Sequence, residues 1–327
     1  MAQLDDTIVS TGPVDPIVSS LLEPFGSLVL AKDHTEASIL AVMDRAVGLV
    51  VRGEARITAQ IIQQAPRLKV IGRTGVGYNN VDIGAATERN IPVVFTPGAG
   101  ARAVAEAAVC WMLTLCKRVM FWDQQLKAGN WQSRFQFNVG DLEGATLGIV
   151  GFGRIGQQLA QLVRPFDMTV VAYDPFVDPT LAEEHGVALV SLETLVAQAD
   201  FVSLHAAASA ENHGLINRRI LAKVKPGAYL LNLARGELIE SLDVLLEALQ
   251  DGRLAGVGLD TFAPEPPDIQ HPIFQHPDCL TAPHAMAGSK AAMSRIFRWM
   301  SQDMAAVLSG KRPQHVVNPE TCRDLRS

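Results

Sequence analysis

Leu147-Gly148-Ile149-Val150-Gly151-Phe152-Gly153-Arg154-Ile155-Gly156 runs from an apolar strand into three glycines and on into the helical stretch Gln157–Val163. Strand, glycine turn and helix, in that order, is the context in which G-x-G-x-x-G points to a bound dinucleotide. The first glycine permits a tight turn, the second lets backbone approach a pyrophosphate, and the third lets the helix pack on the strand. The pyrophosphate would rest on amides at the positive end of the helix. Asp174 closes the strand Thr169–Tyr173, eighteen residues beyond Gly156, where an acid hydrogen-bonds ribose hydroxyls. Gly151, Phe152, Gly153, Arg154, Ile155, Gly156 and Asp174 are therefore the candidate cofactor-binding residues. A carboxylate there repels a 2′-phosphate by about 1–4 kcal/mol at surface dielectrics. Pro175-Phe176-Val177 supply no arginine to receive one, so NAD is expected over NADP.

The same alternation extends in both directions. Towards the N-terminus, short β-branched runs at Thr7–Ser10, Ser27–Leu30, Ala46–Arg52, Leu68–Arg73 and Pro92–Phe95 are separated by helical stretches such as Pro16–Leu22, Glu36–Asp44 and Ile57–Gln64. Towards the C-terminus the strands are Val187–Val190, Phe201–Leu204, Ala228–Leu233, Gly256–Leu259 and Cys279–Ala282, and a helix from Ser289 to Leu308 stops before Gly310. Strands spaced by helices mean βαβ units and parallel sheets. Thr96-Pro97-Gly98-Ala99-Gly100 reads as a hinge before a long helix, Arg102–Cys116. The fold class is α/β, with two parallel-sheet halves joined by that helix.

Composition narrows the partners. Across 327 residues, 28 Lys+Arg against 34 Asp+Glu leave a formal charge of −6, unlike a protein made for nucleic acid or an anionic membrane. Apolar residues at 48% exclude disorder as the dominant state. Met1–Gly12 shows no secretory leader, and the apolar stretch Ala103–Cys116 is too short to span a bilayer and carries Glu106. Cys110, Cys116, Cys279 and Cys322 form no disulfide framework and read as reduced thiols of a cytoplasmic protein. No cluster has metal-ligand spacing, and His271 and His276 read as part of a proline-rich loop.

Three groups after predicted strands stand out: Arg235 in Asn232-Leu233-Ala234-Arg235-Gly236, Glu265 in Asp260-Thr261-Phe262-Ala263-Pro264-Glu265-Pro266, and His284 in Thr281-Ala282-Pro283-His284. All three could meet at the carboxyl edge of one sheet, where α/β folds bind ligands. Singly, each also reads as a surface arginine, a loop carboxylate or a capping histidine.

At these residues the sequence resembles the D-isomer-specific 2-hydroxyacid dehydrogenases, and most nearly their 3-phosphoglycerate dehydrogenase and hydroxypyruvate reductase branch. The resemblance runs from Ala46 to Gln302 and takes in Gly72-Arg73-Thr74-Gly75-Val76-Gly77 with Asn80-Val81-Asp82, Thr96-Pro97-Gly98, and Val104-Ala105-Glu106. It implies a Rossmann NAD-binding domain at 102–288, and a flavodoxin-like substrate domain made of 1–101 and the returning segment 289–327. It implies a homodimer too. By the same resemblance Arg235, Glu265 and His284 are catalytic, Asp260 contacts the nicotinamide carboxamide, and the Val76-Gly77 amides with Arg235 receive the substrate carboxylate. Arg52 and Arg73 fall where the branch binds a second anion, and Arg134 where it reaches a neighbouring subunit. The chemistry is consistent: histidine titrates near working pH, a carboxylate beside it fixes the ring, and a guanidinium holds a carboxylate.

The chain departs from the family pattern at Phe95, Asn79, Ala207, Ala285 and Met286, beside the expected substrate pocket. Glyoxylate or another 2-oxo acid is therefore an alternative substrate. A non-catalytic NAD-sensing protein on this scaffold, like the C-terminal-binding corepressors, is the alternative of another class. A formate-dehydrogenase-like function is disfavoured by Glu265, because that group pairs its histidine with glutamine.

Overall fold

A computed structural model describes residues 5–136 and 138–326; Met1–Leu4, part of the Met1–Gly12 stretch read above, Phe137 and Ser327 lie outside the described residues. The chain divides into two compact units, Met1–Gly100 with Gly288–Ser327, and Ala101–Ala287.

In the first unit, β1 (Thr7–Ser10), β2 (Ser27–Leu30), β3 (Ala46–Val51), β4 (Val70–Arg73) and β5 (Val93–Val94) form one parallel sheet in the order β2-β1-β3-β4-β5. That order is the flavodoxin-like one. Central β3 is buried along its whole length, as a strand covered by helices on both faces must be. One face packs Ile39, Ile61 and Ile62; the other packs Val18 and Leu22 against Phe297, Met300 and Met304 of the returning helix Lys290–Leu308. Gly72 makes room for that helix, since a Cβ there would lie 2.3 Å from Met304 Sδ.

The second unit carries seven parallel strands: β6 (Thr146–Val150), β7 (Thr169–Tyr173), β8 (Ala188–Leu189), β9 (Phe201–Leu204), β10 (Ala228–Asn232), β11 (Leu254–Leu259) and β12 (Cys279–Thr281). Their order, β12-β11-β10-β9-β6-β7-β8, reverses direction at β6 and creates the switch point where dinucleotides bind. The helix Ala101–Cys116 lies on β11 because two glycines leave space. A Cβ at Gly258 would lie 2.4 Å from Trp111, and one at Gly256 would lie 3.0 Å from Leu115.

Several elements are shorter than the sequence pattern suggests. The helix expected over Glu36–Asp44 ends at Leu40, after which i→i−3 bonds from Val42 and Met43 tighten the chain and bury Met43. The strand expected at Pro92–Phe95 keeps only Val93–Val94, consistent with a proline that has no amide to donate. Val119–Lys127, unremarked as a pattern, is a helix with no buried residue.

Candidate active site

The nucleotide and catalytic candidates of the second unit follow the carboxyl ends of strands, whereas Arg134 lies in the short helix Trp131–Phe135 before the first of them. Gly151 follows β6, Asp174 follows β7, Arg235 lies past β10, Asp260 follows β11 and His284 lies past β12. Parallel strands put these ends on one edge of the sheet.

The glycine turn is built as a dinucleotide needs it. Gly151 has φ +95°, and a Cβ would lie 2.5 Å from the Ala206 nitrogen. Gly156 presses on the Gly151 carbonyl, again at 2.5 Å from a would-be Cβ, seating the helix Arg154–Val163 on the turn. Gly153 has nothing within 4 Å of its missing Cβ, so this face of the loop is open to a ligand. Gly153 caps the helix without a side chain, leaving the first-turn amides, those of Arg154, Ile155 and Gly156, uncapped. Phe152 is buried, and its amide donates to Asp174 Oδ2 at 2.8 Å while Phe176 N donates to Oδ1 at 2.9 Å. The acid is thereby fixed beside the turn. Open backbone at Gly153, uncapped amides and an oriented carboxylate together fit a dinucleotide with an unmodified ribose.

His205, at the end of β9, lies against the same turn. Its Nε2 meets Ser203 Oγ at 2.8 Å, its buried Nδ1 has no partner among the described residues, and burial pulls its pKa down from 6.5 to about 4. It is a neutral imidazole packed beneath the nucleotide loop.

Glu265 and His284 are brought together. His284 Nδ1 faces the Glu265 oxygens at 3.2 and 3.0 Å, and Glu265 Oε1 also accepts from Phe262 N at 3.0 Å. His284 adopts φ +51°, an uncommon left-handed conformation for a residue with a side chain. Asp260 holds that bend: its Oδ1 accepts from Ala285 N at 2.8 Å, and both its oxygens lie 3.3 Å from Met286 N. Burial raises the Asp260 pKa against the lowering effect of those amide bonds. Arg235 reaches the same loop through its neighbour, because a Cβ on Gly236 would lie 2.0 Å from the Phe262 carbonyl carbon. Asn232 Nδ2 fixes the Arg235 carbonyl at 2.8 Å, and Arg235 Nη1 donates to Ala234 O at 2.7 Å.

The first unit places its candidates at the ends of β3 and β4. Arg52 donates from Nη1 to Pro13 O and lies 4.9 Å over the Phe297 ring. Arg73 Nε donates to Asn80 Oδ1 at 3.1 Å, and its Nη1 reaches the Thr74 carbonyl and hydroxyl. Val76 and Gly77 follow Gly75, whose φ is +109°, and no hydrogen bond to either amide is formed among the described residues. Thr96, fully buried, pins Gly75 from both sides: Gly75 N donates to its Oγ1 at 3.0 Å and Thr96 N donates to Gly75 O at 3.0 Å. Tyr78 packs edge-on against Phe95 with ring centroids 5.9 Å apart. Arg134 of the second unit lies over its own neighbours Trp131 and Phe135. The sequence pattern did not single out Thr96 or Asn80 as site residues, because a hydroxyl or amide that only braces backbone leaves no mark of spacing. Among the described residues no group of three or more His, Cys, Asp or Glu is placed to hold a metal.

Fold and site together define a two-unit α/β protein with a Rossmann nucleotide edge and an acid–histidine pair beside it. The sequence model of the D-isomer specific 2-hydroxyacid dehydrogenase family, NAD binding domain, matches residues 109–286, more than half of the chain. The chain belongs to that family. D-3-phosphoglycerate dehydrogenase of Archaeoglobus fulgidus is 36% identical over 270 residues, covering 83% of this chain and 51% of its own. That of Methanocaldococcus jannaschii is 35% identical over 312 residues, covering 95% and 59%. The chain thus spans little more than half the length of these relatives. Among solved structures, the TT0316 protein of Thermus thermophilus superposes with a TM-score of 0.88 at 34% identity, covering 95% of this chain and 99% of that one. A glyoxylate reductase from Paecilomyes thermophila superposes with a TM-score of 0.86 at 25% identity, covering 97% and 100%.

Proposed function

We propose that this protein is an NAD-dependent oxidoreductase acting at C2 of a D-2-hydroxy acid, and that its substrate is a three-carbon acid with a hydroxyl or phosphate at C3. The Glu265–His284 pair, on the sheet edge that carries the nucleotide turn, is the observation that carries it. Bound nicotinamide supplies the hydride acceptor or donor. His284, with Nδ1 directed at Glu265, offers Nε2 to take the C2 hydroxyl proton during oxidation and return it during reduction. Glu265 fixes the ring and stabilises the imidazolium. Arg235 offers its guanidinium to the substrate carboxylate and the C2 oxygen. In the first unit, the free Val76 and Gly77 amides suit a carboxylate as well. Asp260 meets the carboxamide edge of the nicotinamide.

The phosphate is supported by the names of the D-3-phosphoglycerate dehydrogenase relatives and by Arg52. Burial lowers the pKa of that guanidinium, and no carboxylate among the described residues lies within ion-pair distance of it. An anionic ligand would supply the missing partner. The exposed apolar side chains Val119, Met120, Leu126, Trp131, Phe135 and Val139, gathered within twenty-one residues of sequence, support a homodimer. Four unpaired cysteines accord with a cytoplasmic location, and among the described residues no helix is long and apolar enough to cross a membrane.

NADH oxidation measured against 3-phosphohydroxypyruvate, hydroxypyruvate, glyoxylate and pyruvate tests the whole proposal. The first two should give the highest kcat/KM. Arg52→Ala should raise KM about 10–150-fold for the phosphorylated acid alone, the worth of one charge-assisted contact. Glyoxylate turnover with no response to the first two would overturn the substrate assignment, and NADH binding without any turnover would leave an NAD-sensing protein.

A further inference from the structure

The segment Thr74–Asn80 combines two features that belong to different parts of a binding site. Its centre is exposed and unpaired, since the Val76 and Gly77 amides have no acceptor among the described residues. Successive free amides after a left-handed glycine form a concavity that suits a carboxylate. Its two ends are tied tightly. Thr74 N and Thr74 Oγ1 both donate to Val51 O, at 3.1 Å each, so the start is anchored to the end of β3. Asn80 Nδ2 donates to Gly53 O at 3.3 Å and to Ala55 O at 2.7 Å, and Ile57 N donates to Asn80 O at 2.8 Å.

Arg73 spans these ends. Its Nε holds Asn80 Oδ1 and its Nη1 holds Thr74, so one planar guanidinium joins the first and last residues of the loop. We propose that Arg73 is a positioning residue: it straps the Thr74–Asn80 loop so that the Val76 and Gly77 amides converge on the substrate carboxylate, and it is not a ligand for a second anion. This deepens the function proposed above and rests on it for the identity of the ligand. The guanidinium suits the task because its donors are fixed in a plane at separate angles, which the single ammonium of lysine cannot reproduce.

The two roles differ in what they discriminate. A strap acts on the carboxylate present in every 2-oxo acid, whereas an anion ligand acts only on a phosphorylated one. The experiment compares Arg73→Met, Arg73→Lys, Asn80→Ala and the Arg73→Met/Asn80→Ala pair with the unmutated protein. KM and kcat are measured for glyoxylate, hydroxypyruvate and 3-phosphohydroxypyruvate, alongside hydrogen exchange at the paired amides of Ile57, Thr74, Gly75 and Val81. Arg73→Met should raise KM for all three acids alike, by about tenfold, with kcat changed far less. A loss of folded protein would instead lower apparent kcat and leave KM alone. Arg73→Lys should fail to restore KM, and the double variant should be little worse than either single one, since both break the same strap. Exchange at the four amides should quicken in each variant.

The proposal is overturned if only the phosphorylated acid suffers, if Arg73→Lys restores its KM, or if loop exchange is unchanged. Should the unmutated protein turn over none of the acids, the enzymatic assignment fails, and exchange in Arg73→Lys and Asn80→Ala still decides whether Arg73 holds the loop.

Discussion

At the scale of single residues, the acid–histidine pair and the nucleotide acid set the expected chemistry. His284→Ala should lower kcat by about 10²–10⁴ for every 2-oxo acid, the usual contribution of a general acid–base group. NADH affinity, read by fluorescence titration, should stay within a few-fold; retained turnover would remove His284 from the mechanism. Asp174→Ala with Pro175→Arg should shift preference towards NADP(H), because it removes a repelling carboxylate and adds a cation beside the ribose. Equal use of both cofactors by the unmutated protein would contradict that role for Asp174. His205 gives a pH dependence of stability whose sign follows from burial. Unfolded, it titrates near 6.5; folded, it is held to about 4. Between those values the unfolded chain binds the extra proton, so this contribution is complete above pH 6.5 and is lost as pH falls towards 4, at about 1.4 kcal/mol per unit. His205→Asn should flatten that part of the profile in urea unfolding between pH 7 and pH 4.5. Identical slopes with and without the imidazole would show that it titrates normally in the fold.

At the scale of elements, the seat of the helix Ala101–Cys116 on β11 is a matter of matched periods. Alternate strand residues Gly256 and Gly258 share a face, and Leu115 and Trp111, one helical turn apart, fill the spaces their missing side chains leave. Gly258→Ala places a methyl 2.4 Å from the Trp111 ring and 2.9 Å from Leu231. Overpacking of that kind should destabilise the fold by about 1–3 kcal/mol, read as a lower urea midpoint at constant m-value. An unchanged midpoint would mean that the helix shifts freely on the sheet. The glycine turn works by the same logic turned towards a ligand. Gly151 and Gly156 are glycines because protein presses on them, whereas Gly153 is one because its outer face is open.

At the scale of the whole molecule, two units with separate cores share one chain that leaves the first after Gly100 and returns at Gly288. A ligand that binds one folded unit stabilises that unit first, by about 2.7 kcal/mol at a hundredfold excess over Kd. Saturating NADH should therefore slow hydrogen exchange most at Leu147–Gly156, Tyr173–Phe176 and Asp260–Phe262. Protection spread evenly over both sheets would mean that the cofactor is not confined to the glycine-turn unit. Strand periodicity and the glycine turn with Asp174 were legible in the sequence, because each is a local pattern written in spacing and residue type. Arg235, Glu265 and His284 stood out only as single groups after strands, and family resemblance joined them as a set. Only the tertiary structure decided that Asp260 bends the chain at His284, that Thr96 grips Gly75 from twenty-one residues away, and that Arg73 is tied to Asn80. Those contacts join segments whose separation is set by strand order and helix packing. The residues involved are a common acid, hydroxyl, amide and guanidinium, which in sequence look the same whether they face solvent, a ligand or the backbone they hold.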